Sequence, residues 1–122
     1  MIKDSQLYKI VIVEDNPGDF VLFEEYISDS FLNTEITNVT SFKGFEQTIK
    51  KSNDFDIIFL DLSLPDKSGI DLVKGIITLA PLIPIVVLTG YPDFNFAVQS
   101  LSLGISDYLL KENLSPTTIY KC

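Results

Sequence analysis

A few residues in this 122-residue chain have the types that phosphorus chemistry requires. Glu14 and Asp15 are adjacent, Asp61 closes the stretch FDIIFLD, Thr89 sits in PIVVLTG, and Lys111 closes ISDYLLK. Each has an ordinary reading on its own. An acid pair after a strand is often a helix cap or a solvated turn. Asp61 could be a turn residue, Thr89 a cap and Lys111 a surface charge. Together they would place three carboxylates, a hydroxyl and an ammonium at one rim. Crowded carboxylates repel one another and raise one another's pKa unless a cation lies among them. Hard oxygen ligands in small number suit Mg²⁺, which keeps several waters and binds through one or two carboxylates plus phosphate oxygens; Mn²⁺ could substitute. A buried carboxylate can also attack phosphorus and become an aspartyl phosphate. An ammonium and a hydroxyl would hold phosphoryl oxygens, and phosphoryl transfer asks mainly for such positioning and charge stabilisation.

The elements that must position these side chains alternate along the chain. YKIVIVE (Tyr8 to Glu14), FDIIFLD and PIVVLTG are apolar at successive positions, which suits strands buried on both faces. ISDYLLK is a shorter run of the same kind, and TEITNVTSF (Thr34 to Phe42) alternates like a half-exposed edge strand. Helix signals lie between them. Asn16 and Pro17 open a helix with Phe20, Phe23, Ile27 and Phe31 at helical spacing. Ser41 opens FKGFEQTIKK and Ser68 opens GIDLVKGIITL. DFNFAVQSLSLG ends at Gly104, a good C′ residue. Ser115 and Pro116 start a last, short helix. A βα alternation of this kind predicts an α/β, doubly wound, five-stranded parallel sheet with helices on both faces. In such sheets a site forms outside the carboxyl ends of the strands. Glu14, Asp15, Asp61, Thr89 and Lys111 are all expected at those ends.

Composition narrows the function classes. Nine basic residues against 17 acidic ones give a net charge of −8. Such a surface repels nucleic-acid phosphates and anionic membranes, so neither is an expected direct partner. The chain has no histidine, which removes any Ser-His-Asp or Cys-His centre and any phosphohistidine of its own. Its one cysteine, Cys122, permits no internal disulfide. No apolar run approaches the ~18 residues that span a bilayer, and the N-terminus lacks a signal-peptide core. These features predict one cytoplasmic domain over residues 1–122.

The blocks VIVEDNPGD (Val11 to Asp19), IIFLDLSLPDKSG (Ile57 to Gly69), IVVLTG (Ile85 to Gly90) and DYLLK (Asp107 to Lys111) resemble a response-regulator receiver domain of two-component signalling. The resemblance covers essentially the whole chain. It implies a flavodoxin-like strand order, 2-1-3-4-5. It implies that Asp61 accepts a phosphoryl group from a histidine kinase, a phosphotransfer protein or a small phosphodonor. Glu14 and Asp15 match the acidic pair that binds Mg²⁺ with Asp61, and Ser63 would supply a backbone carbonyl to the metal. Thr89 matches the hydroxyl that contacts the phosphoryl group and moves on activation. Lys111 matches the lysine that pairs with the acceptor, and Tyr108 the aromatic that changes rotamer as Thr89 moves. The fourth helix, fifth strand and fifth helix would form the surface that reports the switch to an output protein or domain, or to a second copy in a homodimer. Ser63 and Tyr91 would flank the phosphoryl group, with bulky Tyr91 hindering water and lengthening its lifetime.

Two features depart from the usual receiver pattern. Glu112 follows Lys111 where many receivers have a proline in a cis bond, and a cis Lys-Glu bond would cost several kcal/mol more. The last helix is short, which leads us to expect either that the chain continues or that it is a receiver cut from a larger protein. The VEDNPGD and LLKENLSP stretches resemble stand-alone receivers or those joined to sensor kinases. Two other functions fit a sheet of this kind: a pure interaction domain that works without phosphate, and a metal-dependent phosphatase or nucleotide-binding enzyme. The intact acid, threonine and lysine set argues against the first. Against the second, Ser63 stands where an aspartyl-phosphate phosphatase would have its second acid, and no Gly-rich phosphate loop follows the first strand.

Overall fold

Val11, Ile12 and Val13 are consecutive, and all three are buried. A strand covered on both faces buries successive residues in this way. In the computed structural model, which describes residues 4–62, 64–90, 94–111 and 114–115, that strand is β1 (Asp4–Val13), followed by α1 (Pro17–Ser30), β2 (Phe31–Val39), α2 (Phe42–Lys51), β3 (Ile57–Asp61), α3 (Gly69–Leu79), β4 (Ile85–Thr89), α4 (Phe94–Leu103) and β5 (Asp107–Leu110). The strands form one five-stranded sheet in the order β2-β1-β3-β4-β5, and every pairing is parallel. This is the doubly wound order 2-1-3-4-5.

Alternate side chains of each strand feed two separate cores. On one face Val11, Val13, Ile58, Leu60 and Val87 meet Phe45 of α2 and Leu72, Val73 and Ile76 of α3, with Phe96 and Leu103 of α4 at the margin. On the other face Ile10, Ile12, Phe59, Val86 and Leu88 meet Phe23 and Ile27 of α1. Phe23 and Phe59 pack edge to face with ring centroids 4.6 Å apart, a favoured aromatic arrangement. Fully burying side chains of this size is worth roughly 1.5–3 kcal/mol each. The central strands are therefore a stiff mount for whatever stands at their ends.

The helix starts follow the sequence signals. Asn16 accepts hydrogen bonds from the N–H groups of Gly18 and Asp19, and Ser41 Oγ accepts from Gly44 N–H. Gly104 ends α4 with φ +115°, a backbone angle that disfavours other residues. Ser68 caps α3 without a side-chain hydrogen bond. Several boundaries differ from expectation. β1 begins at Asp4 rather than Tyr8 and stops at Val13, so Glu14 and Asp15 lie just past the strand. Phe31 does not extend the apolar stripe of α1; its N–H closes the helix on Ile27 C=O and the residue opens β2. There its ring packs edge-on against Tyr8 at 5.0 Å, and that contact competes with the helical reading. Phe42 belongs to α2, so β2 ends earlier than the alternating pattern predicts. The expected short last helix falls outside the described residues from Pro116 onward.

Candidate functional site

The parallel register brings the strand ends together. Val13 pairs with Leu60, Asp61 with Leu88, and Thr89 with Leu110. The residues that follow β1, β3, β4 and β5 therefore share one rim. The backbone past β1 is held down: Glu14 N–H donates to Val39 C=O at 2.9 Å, and the Asn38 side-chain amide donates to the carbonyls of Ile12 and Glu14. This fixes where Glu14 points.

Glu14, Asp61 and Thr89 are buried, at 4%, 8% and 5% exposure, and Asp15 is exposed. Carboxylate oxygens of Glu14, Asp15 and Asp61 lie within 4.8 Å of one another. With Asn16, Pro17, Asp19, Leu62, Thr89, Gly90 and Lys111 they line one open cleft. Lys111 reaches across it from the far edge. Its Nζ donates to Glu14 Oε1 at 2.8 Å and to Asp19 Oδ2 at 2.9 Å, and stands 3.5 Å from Asp61 Oδ1. The lysine is thus within ion-pair range of Asp61, but its close contacts are with Glu14 and Asp19.

The electrostatics follow from this crowding. Burial pushes the Glu14 carboxyl up from 4.5 to about 7; the Asp61 carboxylate pushes the same way, and Lys111 opposes. For Lys111, burial alone would lower the pKa, but the hydrogen bonds to Glu14 and Asp19 outweigh it and hold the ammonium above its usual value. The cleft therefore carries more negative charge than its one ammonium offsets. Three hard oxygen donors within 4.8 Å and an excess of negative charge fit a small divalent cation.

The sequence-predicted residues that the structure brings together are Glu14, Asp15, Asp61, Thr89 and Lys111. Tyr108 lies on β5, paired with Val87 and half-buried, with its ring 6.2 Å from that of Phe96 on α4. It thus bridges the strand next to Thr89 and the helix behind it. Ser63, Tyr91 and Glu112 lie outside the described residues, and with them the expected carbonyl ligand, the expected shield of the phosphoryl group and the geometry of the Lys111-Glu112 bond. Sequence reasoning gave no role to Asp19. Its signal was its place in the first turn of α1, where side chains lean back toward the helix N-terminus and so toward the rim. Nor did it give one to Asp66, in the loop after β3. That carboxylate accepts from the N–H groups of Phe42 and Lys43 at 2.9 and 3.0 Å, which ties the loop to the start of α2.

The sequence profile of the response regulator receiver domain matches residues 10–121. The sensory transduction protein LytR of Staphylococcus epidermidis is 34% identical over 105 residues, which is 84% of this chain and 40% of that protein. The chain spans less than half the length of the curated relatives it matches first. The BeF3-activated N-terminal receiver domain of Klebsiella pneumoniae RstA superposes with a TM-score of 0.76 at 30% identity, over 93% of this chain and 92% of that one. The Mn(2+)-bound form of the response regulator Rcp1 shares the fold, with a TM-score of 0.77 at 23% identity over 93% of this chain and 90% of that one.

Proposed function

We propose that this chain, which belongs to the response regulator receiver domain family, is a phosphorylation-dependent signalling switch whose acceptor is Asp61. The observation that carries this reading is the rim itself. A buried carboxylate ends a rigid central strand, two more carboxylates lie within 4.8 Å of it, and an ammonium stands 3.5 Å away. The phosphoryl donor would be the phosphohistidine of a histidine kinase or phosphotransfer protein, or a small acyl phosphate. A carboxylate oxygen of Asp61 attacks phosphorus, the new O–P bond forms as the donor's bond to phosphorus breaks, and the leaving group departs with the bonding electrons.

Glu14, Asp15 and Asp61 would hold Mg²⁺, or Mn²⁺ in its place, and Ser63 would add a backbone carbonyl. The bound ion supplies charge neutralisation and alignment for the transferring group. Lys111 and Thr89 take phosphoryl oxygens as ammonium and hydroxyl donors. These contacts exist only when the group is present, so they shift the population toward one arrangement of the β4 end. Thr89 lies beside β5, and Tyr108 on β5 approaches Phe96 of α4. That route suits an output through α4, β5 and the segment after it, to a downstream protein or domain or to a second copy in a homodimer.

We read residues 1–122 as one receiver domain that acts as a signalling module, though it assists its own phosphorylation and dephosphorylation, and we place it in the cytoplasm. Among the described residues no helix is long and apolar enough to cross a membrane. Incubation with Mg²⁺ and acetyl phosphate, followed by intact mass, tests the reading. A single phosphoryl adduct is expected on the wild type and none on Asp61→Asn. An unlabelled wild type beside a labelled control receiver would sink it.

A further inference from the structure

We infer that Asp19 is a positioning residue that holds the Lys111 ammonium in a withdrawn arrangement and so slows phosphorylation of Asp61. The inference rests on the reading of Asp61 as acceptor and concerns a residue to which that reading gives no task.

Lysine has three N–H donors and no acceptor. Two of them are committed at hydrogen-bond distance, to Glu14 Oε1 at 2.8 Å and to Asp19 Oδ2 at 2.9 Å. Asp61 is left at 3.5 Å, an ion pair without a direct hydrogen bond. Glu14 and Asp61 sit on the two central strand ends, where a shared cation would also sit. Asp19 is different. It belongs to the first turn of α1, its side chain is 46% exposed, and it stands outside the Glu14-Asp15-Asp61 group. Its contact draws the ammonium toward α1, on the side where Phe20, Leu88 and Leu114 line a small gap beside the lysine. A phosphoryl group on Asp61 needs that ammonium on its own oxygens. Whatever free energy the Asp19 contact contributes must be given up, or shared, as the transition state forms. Uniform binding would leave the rate unchanged; a contact made better before the reaction than during it slows the reaction.

Asp19 also adds a negative charge to a cleft that must admit an anionic donor. Asp19→Asn keeps an oxygen acceptor near the lysine and removes the charge. A charge-assisted contact at a half-exposed site suggests a gain in labelling rate of roughly three- to tenfold.

The experiment measures the rate of adduct formation with Mg²⁺ and subsaturating acetyl phosphate for wild type, Asp19→Asn, Asp19→Ser and Glu25→Gln. Glu25 lies on α1, is exposed and is not among the partners of Lys111. Its change therefore controls for net charge alone. Both Asp19 variants should label faster by several-fold, and Glu25→Gln should stay near wild type. The advantage should shrink toward unity between about 0.02 and about 1 M salt, because the competing pair is screened. The ¹⁵N signal of the Lys111 ammonium should move in Asp19→Asn and return in Asp19→Glu, which a merely structural role would not produce. Labelling of both Asp19 variants at or below the wild-type rate, or a gain matched by Glu25→Gln, would overturn the inference while leaving Asp61 as acceptor. No labelling of the wild type would instead remove the reading on which it rests.

Discussion

Glu14→Gln should make the metal-free protein more stable at alkaline pH and should flatten its response to pH. Glu14 is 4% exposed, and its carboxyl is pushed from 4.5 to about 7 by burial and by Asp61, against the pull of Lys111. Between those two values the folded protein holds a proton that the unfolded chain has released. Stability must then fall as pH rises through the window and level off above about 7. At about 1.4 kcal/mol for each tenfold change in proton affinity, full expression would be on the order of 3 kcal/mol. The cleft opens to solvent beside Asp15 and Asp19, so screening leaves roughly 1–2 kcal/mol. The replacing amide has nothing to ionise and still offers Lys111 an oxygen. Urea unfolding in EDTA is the assay, at about pH 5 and about pH 8. The chain has no histidine to add its own titration between them. The variant should match wild type at the lower pH and exceed it by roughly 1–2 kcal/mol at the higher one. Saturating Mg²⁺ should then favour wild type, by up to about 2.7 kcal/mol at a hundredfold excess over Kd. A stability difference independent of pH, or a variant weaker than wild type at the higher pH, would refute the assignment of the strain to an ionised Glu14.

Two further expectations concern the scaffold. Asp66 receives two backbone N–H groups of α2, and those hydrogen bonds hold its carboxyl below the ordinary value. Its contribution should be present above the unfolded-state pKa and disappear as pH falls through the lower folded one. Asp66→Asn should therefore speed amide exchange at Phe42 and Lys43 near neutral pH, and the gap to wild type should close on acidification; equal exchange at both would refute the tether. Ser100 is fully buried on α4, and its hydroxyl has no hydrogen-bond partner among the described residues. Ser100→Ala should raise unfolding stability by about 1 kcal/mol or more, since it deletes an unsatisfied group and improves helix propensity. A loss of stability in urea would mean that the hydroxyl is satisfied.

The site was legible because its residues terminate strands. Buried parallel strands announce themselves as continuous apolar runs, and a polar residue that ends such a run must stand at the rim. That logic located Asp61, Thr89 and Lys111 with no knowledge of distances. It also gave the sheet its five strands, and the resemblance gave their order. It could not see Asp19 or Asp66, because the function of each lies in a partner far along the chain. Asp19 bonds to a lysine 92 positions away, and Asp66 to the start of a helix 23 and 24 positions back. In sequence both look like solvated acids near a helix start. The end of α1 was misread for a related reason. Phe31 fits the helical period, yet its ring finds Tyr8 on the neighbouring strand, and tertiary contact overrides local period.

The same distances explain why the fold tolerates its least comfortable feature. Three carboxylates crowd within 4.8 Å, and one ammonium cannot offset them all. A fold selected only for stability would replace one of them with an amide. The rigid strands instead preserve the repulsion, since β3 is held on both sides, Leu60 paired with Val13 of β1 and Asp61 with Leu88 of β4. Repulsion that the backbone cannot relieve becomes affinity for whatever neutralises it. A divalent cation binds more tightly to such a site than to relaxed acids, and Lys111 is drawn inward by the same field. Asp19 then sets a limit on that pull. It leaves the ammonium a partner outside the cluster, so the lysine is shared between α1 and Asp61; on the proposed function, a phosphoryl group would supply oxygens that compete for it. The rate at which the switch turns on is, in this reading, set as much by the first turn of α1 as by the acceptor strand.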